Sequence, residues 1–243
     1  MVQEEYSCSV IVPCYNEKGN VESCVERVPR MGSSTEIVFV DDGSSDGTSQ
    51  KVRDCMKLRE DIDVRLVTYS PNHGKGFAVR KGFNAARSDV VMILDADLAV
   101  PPEELPGFFE ILSTGKAGFA NGTRFVHPME PGAMRRLNRI GNRIFSLLFS
   151  CILGQRISDT LCGTKALFRK DYESIEMGEC PWGDFDLLIG AGRLGLQIRE
   201  VPVHYKKRVA GESKMHAFRH GWQLLKVCLR GSGGVRPKRC AGH

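Results

Sequence analysis

Four short runs of β-branched residues constrain this chain more than any other feature. They are 8–13 (Cys-Ser-Val-Ile-Val-Pro), 36–40 (Glu-Ile-Val-Phe-Val), 63–69 and 89–94 (Asp-Val-Val-Met-Ile-Leu). Their length and their turn-forming boundaries predict buried strands. Helical periodicity fills the gaps at 18–29, 47–59 and 75–87. Val21, Cys24, Val25 and Val28 follow the i, i+3, i+4, i+7 spacing of one helix face, and Val52, Cys55 and Met56 repeat it. Strand and helix in strict alternation predict an α/β chain with a mostly parallel, Rossmann-like sheet flanked by crossover helices. The second half is less regular. Helices are expected at 103–113, 133–153, 184–194 and 214–230, and strands near 117–123, 163–168 and 197–205.

Ligands of such sheets bind beyond the carboxyl ends of the strands. The segments that follow the four strands are therefore the candidate site, and all four should meet on one rim. They are Pro13-Cys14-Tyr15-Asn16-Glu17, Asp41-Asp42-Gly43-Ser44-Ser45-Asp46-Gly47-Thr48, Asn72-His73-Gly74-Lys75-Gly76 and Asp95-Ala96-Asp97. Where the backbone bends at a strand end, Asp95 and Asp97 can approach one Mg²⁺ or Mn²⁺ through hard oxygen ligands. Such a cation neutralises a diphosphate. In the second segment Asp46 or Ser45 can cap the following helix, which leaves two further carboxylates, and Asp42 suits a nucleobase or ribose. Backbone N–H groups and Lys75 suit a diphosphate, although Gly76 after Lys75 excludes a Walker A loop. Gly190-Ala191-Gly192-Arg193-Leu194-Gly195 fits G-x-G-x-x-G by letter, but it closes a helix where a dinucleotide fingerprint opens one. It is expected to serve packing and a helix end.

The net charge of +5 hides an asymmetry. Residues 1–120 carry 13 Lys and Arg against 19 Asp and Glu, whereas residues 121–243 carry 21 against 10. An acidic half suits a cation and a basic half an anionic partner. Leu137, Ile140, Ile144, Leu147, Leu148, Cys151 and Ile152 share one helical face, with Arg135, Arg136, Arg139 and Arg143 in the helix's first half and no acidic residue among them. That pattern fits a basic amphipathic helix on an anionic membrane surface, and equally a core helix with a solvated Arg face. A second basic stretch from His204 to Arg230 favours the membrane. Nucleic acid is the weaker rival, since no matching motif accompanies the charge.

Hydrophobic residues at 42% and charged residues at 26% are ordinary for a folded chain, which excludes disordered, collagen-like and coiled-coil classes. A single domain over 1–231 and a flexible tail over 232–243 are expected. The longest apolar run, Ile144 to Leu153, is broken by Ser146 and Ser150. It falls short of the roughly 20 residues that cross a bilayer. An acidic start predicts no secretion. Nine scattered cysteines without a Cys-x-x-Cys pair predict reduced, mostly buried thiols in a cytosolic protein.

Taken together, Pro13-x-Tyr15-Asn16-Glu17, Asp41-Asp42-Gly43-Ser44-x-Asp46-Gly47-Thr48, Gly74-Lys75-Gly76 and Asp95-x-Asp97 resemble the family 2 glycosyltransferases in identity and order. Gly122-Thr123-Arg124, Asp159-Thr160-Leu161-Cys162-Gly163-Thr164-Lys165, Phe185-Asp186, Glu200-Val201-Pro202-Val203 and Gly211-Glu212-Ser213-Lys214 extend the similarity to the dolichyl- and polyprenyl-phosphate sugar synthases. The resemblance covers residues 7–230 and implies a GT-A fold with a nucleotide-sugar half (1–120) and an acceptor half (121–231). It implies that Pro13, Tyr15, Glu17 and Asp42 hold the nucleoside, and that the Asp95-Ala96-Asp97 turn holds metal and diphosphate. It further implies that Lys214 approaches the diphosphate, joining the Lys75 of the third loop, and that Arg124 and Arg135 serve the acceptor phosphate, for which the basic helix also offers Arg139. Where some mannosyl relatives carry a Gln as third metal ligand, this chain has Ala99.

The implied reaction is a single inverting displacement. A lipid-phosphate oxygen attacks the anomeric carbon and a nucleoside diphosphate leaves. An anionic acceptor needs no strong base, whereas a neutral sugar hydroxyl would require a carboxylate, for which Asp159 and Asp186 are the candidates. Because membrane helices are common in these relatives and none is expected here, cytoplasmic residence with peripheral attachment, or a membrane partner protein, is implied. A transferase for a soluble or cell-envelope glycan, and a non-catalytic scaffold of the same fold, are the alternatives.

Overall fold

β1 (Cys8–Cys14) and β2 (Thr35–Asp42) lie side by side inside the sheet with almost every side chain buried. Their unbroken apolar runs suit burial on both faces, as parallel strands require. A computed structural model describes residues 5–129, 136–178 and 183–206. Seven strands form one sheet in the order β3-β2-β1-β4-β6-β5-β7. β3 (Asp63–Tyr69) and β4 (Val90–Ile93) join β2 and β1 in parallel, with Cys14 opposite Asp41, Asp42 opposite Tyr69 and Ile11 opposite Ile93. The four carboxyl ends therefore share one rim.

Beyond β4 the pattern changes. β6 (Lys165–Phe168) runs antiparallel between β4 and β5 (Phe119–Thr123), and β7 (Ile198–Pro202) runs parallel to β5 at the edge. Helices cover both faces. One apolar layer includes Val21 and Val25 of α1 (Val21–Arg27), Val52 of α2 (Thr48–Cys55) and Phe108 of α4 (Leu105–Ser113). The other includes Val79 and Phe83 of α3 (Lys75–Ala85), Phe149 of α5 (Arg136–Leu153), Tyr172 of α6 (Arg169–Tyr172) and Phe185 of α7 (Asp184–Arg193).

The expected elements are present within the described residues; β1 and β2 run slightly longer than expected, β3 has the expected bounds, and several helices are shorter. α1 stops at Arg27 and not at 29, because Val28 precedes Pro29 and adopts an extended ψ of 119°. β7 stops at Pro202, after which residues 203–206 leave the sheet. The short α6 was not expected, and the helix at 214–230 and the tail lie outside the described residues. The glycines of 190–195 serve packing and termination, as expected. A β-carbon at 190 would meet Ile175 at 2.4 Å and one at 192 would meet Leu153 at 2.3 Å, while Gly195 follows the helix end at φ 67°. The six described cysteines are free thiols. Burial pushes the Cys24 thiol up to about 12 and the Cys162 thiol up to about 11, so both stay protonated. No helix among the described residues is long and apolar enough to cross a membrane.

Candidate active site

The rim is assembled loop by loop. After β1 the chain turns through Asn16 in the left-handed region (φ 56°). The Asn16 N–H donates to Ser44 Oγ (2.8 Å), and its Oδ1 accepts from the Ser45 N–H (2.9 Å). The Glu17 N–H donates to Thr48 Oγ1 (3.0 Å), and Asn20 donates to Glu17 Oε2 (2.8 Å). Asn16 and Glu17 are thereby fixed against the loop after β2, next to Tyr15, while Pro13 is held in β1 opposite Val40. Asp46 accepts the Thr48 N–H (2.9 Å) just before α2, but the N-cap is Gly47 in the left-handed region with no side-chain cap, so the capping expected of Asp46 or Ser45 falls to neither.

Asp41 and Asp42 are both buried and divide their tasks. Asp41 accepts from the Ser44 N–H (2.9 Å) and from Ser49 Oγ, closing its own turn. Asp42 reaches across to the third loop, where its two oxygens accept the N–H groups of His73 (2.8 Å) and Gly74 (2.7 Å). The Asn72 side chain donates to the Asp42 carbonyl (3.0 Å). Asp42 thus aims the loop that starts α3, and with it Lys75. Burial raises the Tyr69 hydroxyl pKa, and the Asp42 charge adds to it.

The Asp95-Ala96-Asp97 turn is shaped by its own backbone. Leu98 adopts φ 53°, its N–H donates to the Asp95 carbonyl (3.1 Å), and Asp97 Oδ1 accepts the Ala99 N–H (3.1 Å). A non-glycine residue in this region costs on the order of 1 kcal/mol, which the surrounding structure must offset. Ala96 is buried, with its carbonyl facing the Cys24 thiol. Lys75 Nζ lies 2.6 Å from Asp95 Oδ1. Gly163, in the loop before β6, closes the arrangement, since a β-carbon there would sit 2.2 Å from Asp95 Oδ2 and 2.7 Å from Lys75 Nζ. Two carboxylates on one turn offer hard oxygen donors, and no group of three or more His, Cys, Asp or Glu that could hold a metal forms among the described residues. That donor set fits a divalent cation that completes its shell with phosphate oxygens and water.

In the acceptor half, Arg124 follows β5 and meets Asp159 side-on, Nε to Oδ2 at 2.6 Å and Nη2 to Oδ1 at 2.8 Å. Both are buried. Burial alone would lower the Arg124 pKa, but the Asp159 charge and hydrogen bonds raise it. Asp159 also accepts the N–H groups of Arg124 (3.1 Å) and Leu161 (3.0 Å). The Tyr205 ring covers the guanidinium at 4.9 Å. Arg139 is exposed on α5, with Nη2 at 3.6 Å from Met129 Sδ. Asp186 lies in the first turn of α7 beside Gly178. Arg135 and Lys214 lie outside the described residues.

Three features escaped the sequence reading. The backbone N–H groups of the 72–76 loop were expected to meet a diphosphate, but those of His73 and Gly74 donate to Asp42, a partner the sequence did not reveal. Gly163 was visible within its motif, but its contact with Asp95 was not. Asn142, Ser146 and Ser150 form a polar stripe at i, i+4, i+8 that the apolar periodicity of the same helix overshadowed. The structure turns that stripe inward and leaves Ile140, Ile144 and Leu147 exposed, at 60%, 63% and 70%.

Known proteins resemble this chain over nearly its full length. The sequence profile described as glycosyl transferase family 2 matches residues 9–175. A dolichyl-phosphate hexose transferase of Haloferax volcanii is 32% identical over 225 residues, covering 91% of this chain and 93% of that one. A dolichol-phosphate mannosyltransferase of Pyrococcus furiosus is 29% identical over 230 residues, covering 90% of this chain and 63% of that one. Among solved structures, glucosyl-3-phosphoglycerate synthase from Mycobacterium tuberculosis, in complex with Mn²⁺, UDP and glucosyl-3-phosphoglycerate, superimposes with a TM-score of 0.71 at 20% identity. It covers 94% of this chain and 81% of that one, and it establishes the fold.

Proposed function

The chain belongs to the family 2 glycosyltransferases, and from that premise we propose that it moves a hexose, with inversion, from a nucleotide sugar to a polyprenyl or dolichyl phosphate. The observation that carries the donor side is the Asp95–Lys75 pair set against Gly163 at the carboxyl rim. Pro13, Tyr15 and Glu17 would meet the nucleoside, while Asp42, its two oxygens taken by His73 and Gly74, would act there by holding the loop of Lys75. Asp95 and Asp97 would hold a Mg²⁺ or Mn²⁺, which when bound supplies positive charge to the departing diphosphate. Lys75 places a further cation beside the same phosphates, and Lys214 belongs to the same task. This is electrostatic catalysis, directed at the charge that develops as the sugar bond breaks.

The acceptor side supports an anionic nucleophile. Asp159 is engaged by Arg124 and two backbone N–H groups, so its carboxylate serves the guanidinium and not a proton transfer. A phosphate oxygen that is already charged needs no such base. Asp159 takes Nε and one amino group of Arg124, and the other amino group is the donor for the acceptor phosphate. Arg135 and Arg139 add charge to that side. A neutral glycan acceptor would leave Asp186 as the remaining candidate base. Both the hexosyltransferase and the mannosyltransferase reported above are named for dolichyl phosphate, which supports the lipid acceptor.

The outer face of α5 supports attachment to the membrane surface where such an acceptor resides. Ile140, Ile144 and Leu147 are exposed beside Arg139 and Arg143, and the helix contains no acidic residue. Apolar side chains among acyl chains, with cations on lipid phosphates, is the arrangement of an interfacial helix. The test is a transfer assay with labelled UDP- and GDP-sugars, Mg²⁺ or Mn²⁺, and either a short polyprenyl phosphate or free glycans. Label is expected in the lipid phosphate with inverted anomeric configuration. Label in the neutral glycans alone would overturn the proposal.

A further inference from the structure

A helix packed on a protein core ordinarily turns its apolar side inward. α5 does so with Phe149 and Leu153, but it also turns the buried Asn142 and Ser146 and the half-buried Ser150 toward the protein, and these three side chains meet the loop 157–160. Ser150 Oγ accepts the Ile157 N–H (2.9 Å), and Ser146 Oγ donates to the Ser158 carbonyl (2.8 Å). Asn142 does more. Its Nδ2 donates to the Ser158 carbonyl (3.1 Å), while its Oδ1 accepts from the Thr160 N–H (3.1 Å) and the Thr160 hydroxyl (3.2 Å). It therefore holds the backbone on both sides of Asp159, the carboxylate that fixes Arg124.

We propose that Asn142 is a positioning residue for the acceptor site: its buried amide sets the loop around Asp159 and so aims the Arg124 guanidinium. The inference rests on the reading of Arg124 as the donor to the acceptor phosphate. The donor side is anchored elsewhere, by Asp42 on the loop of Lys75 and by the pairing of β4 with β6. The sheet also keeps its own hold on Asp159, because Asn121 Nδ2 donates to its carbonyl (2.7 Å) and Glu200 accepts its N–H (3.1 Å). Removing the Asn142 amide is thus expected to loosen the aim of Arg124 without dismantling the sheet or the nucleotide rim.

Asn142→Ala is expected to raise the KM for polyprenyl phosphate about tenfold or more while the KM for the nucleotide sugar stays within about twofold, a split that general loss of structure does not produce. Thr160→Val, which deletes one of the three hydrogen bonds with little change of shape, should move the acceptor KM the same way by a smaller factor. Ser150→Ala, on the same helix face but outside the bracket around Asp159, should leave both constants near wild type. Equal rises in the two KM values, or an unchanged acceptor KM in Asn142→Ala, would overturn the inference. If the wild-type chain transfers nothing to lipid phosphate, the functional reading fails, and amide hydrogen exchange still decides the matter. Protection over residues 158–161 should drop in Asn142→Ala while that of α3 and β4 is kept, and unchanged protection of the loop would refute the role of Asn142.

Discussion

Gly163 stands so close to Asp95 across the β4–β6 pairing that a β-carbon at 163 would lie 2.2 Å from Asp95 Oδ2. The same β-carbon would approach Lys75 Nζ at 2.7 Å. A glycine at this point lets the loop that enters β6 pass directly against the acidic turn, and the geometry of the donor site depends on it.

Gly163→Ala should therefore fold and lose activity. The atoms in the way are the ends of two flexible side chains, so they and not the backbone will move. Displacing both from the diphosphate site should cost at least ~10-fold in turnover, or about 1.4 kcal/mol of transition-state stabilisation. Steady-state kinetics beside a melting curve would check this; wild-type turnover with an unchanged Tm would show that the close approach has no functional weight.

Asp97→Ala should lower transfer by ~100-fold or more and abolish the response to added Mg²⁺ or Mn²⁺, since one of two carboxylates on the turn is lost. Titration of turnover against metal, with circular dichroism as a control for folding, reads the outcome. Near-normal turnover would remove Asp97 from the metal site.

Asp159→Ala should destabilise the protein by about 3–5 kcal/mol, because the Arg124 charge would stay buried without its partner. Arg124 and Asp159 replaced together by apolar residues should recover much of that loss in urea unfolding, while transfer to the lipid phosphate stays impaired. A double variant as unstable as the single one would argue against the pairing.

Ile144→Asp with Leu147→Asp should release the protein from vesicles containing anionic lipid and leave its Tm nearly unchanged, since both side chains are already exposed. Arg139→Glu with Arg143→Glu should act in the same direction and most strongly at low salt. Co-sedimentation with vesicles measures both, and undiminished binding would assign the outer face of α5 to another surface.

Glu36 supplies a pH dependence. Burial pushes its pKa up, but hydrogen bonds from Ser9 (2.5 Å), the Arg87 N–H (2.7 Å) and Arg65 (2.9 Å) outweigh it and leave the carboxyl below its ordinary 4.5. A depressed carboxyl contributes stability that is present above the unfolded pKa and is lost as pH falls through the folded one. Glu36→Gln should thus cost about 2 kcal/mol at neutral pH, and the gap in Tm between variant and wild type should close below about pH 4.5. A constant gap from pH 7 to pH 3 would contradict this sign.

The donor half was legible because its signals are local. The valines and isoleucines of residues 8–13, 36–40 and 89–94 record burial on both faces, and turn residues mark where each strand must end. The polar clusters after those ends could be placed on one rim from the parallel order alone. The acceptor half was less legible. Arg124 and Asp159 stand out as letters, yet their pairing spans 35 positions and leaves no periodic trace. Helix α5 buries Phe149 and Leu153, as an apolar stripe should, but its periodicity gave no sign that Asn142 and Ser146 share the buried side while Ile140, Ile144 and Leu147 stay exposed.

The amino-acid sequence by itself thus determined the strands and helices of the first half, the acidic turn at Asp95 and Asp97, and the amphipathic character of α5. Those properties depend on neighbours a few residues away. Tertiary structure alone decided that β6 runs antiparallel past Asp95, that Asp42 spends its oxygens on the loop of Lys75, and that α5 buries Asn142 and Ser146 beside Phe149 and Leu153. Periodicity records that two sides of an element differ; which side is buried depends on the hydrogen-bond partners that a remote loop brings to it.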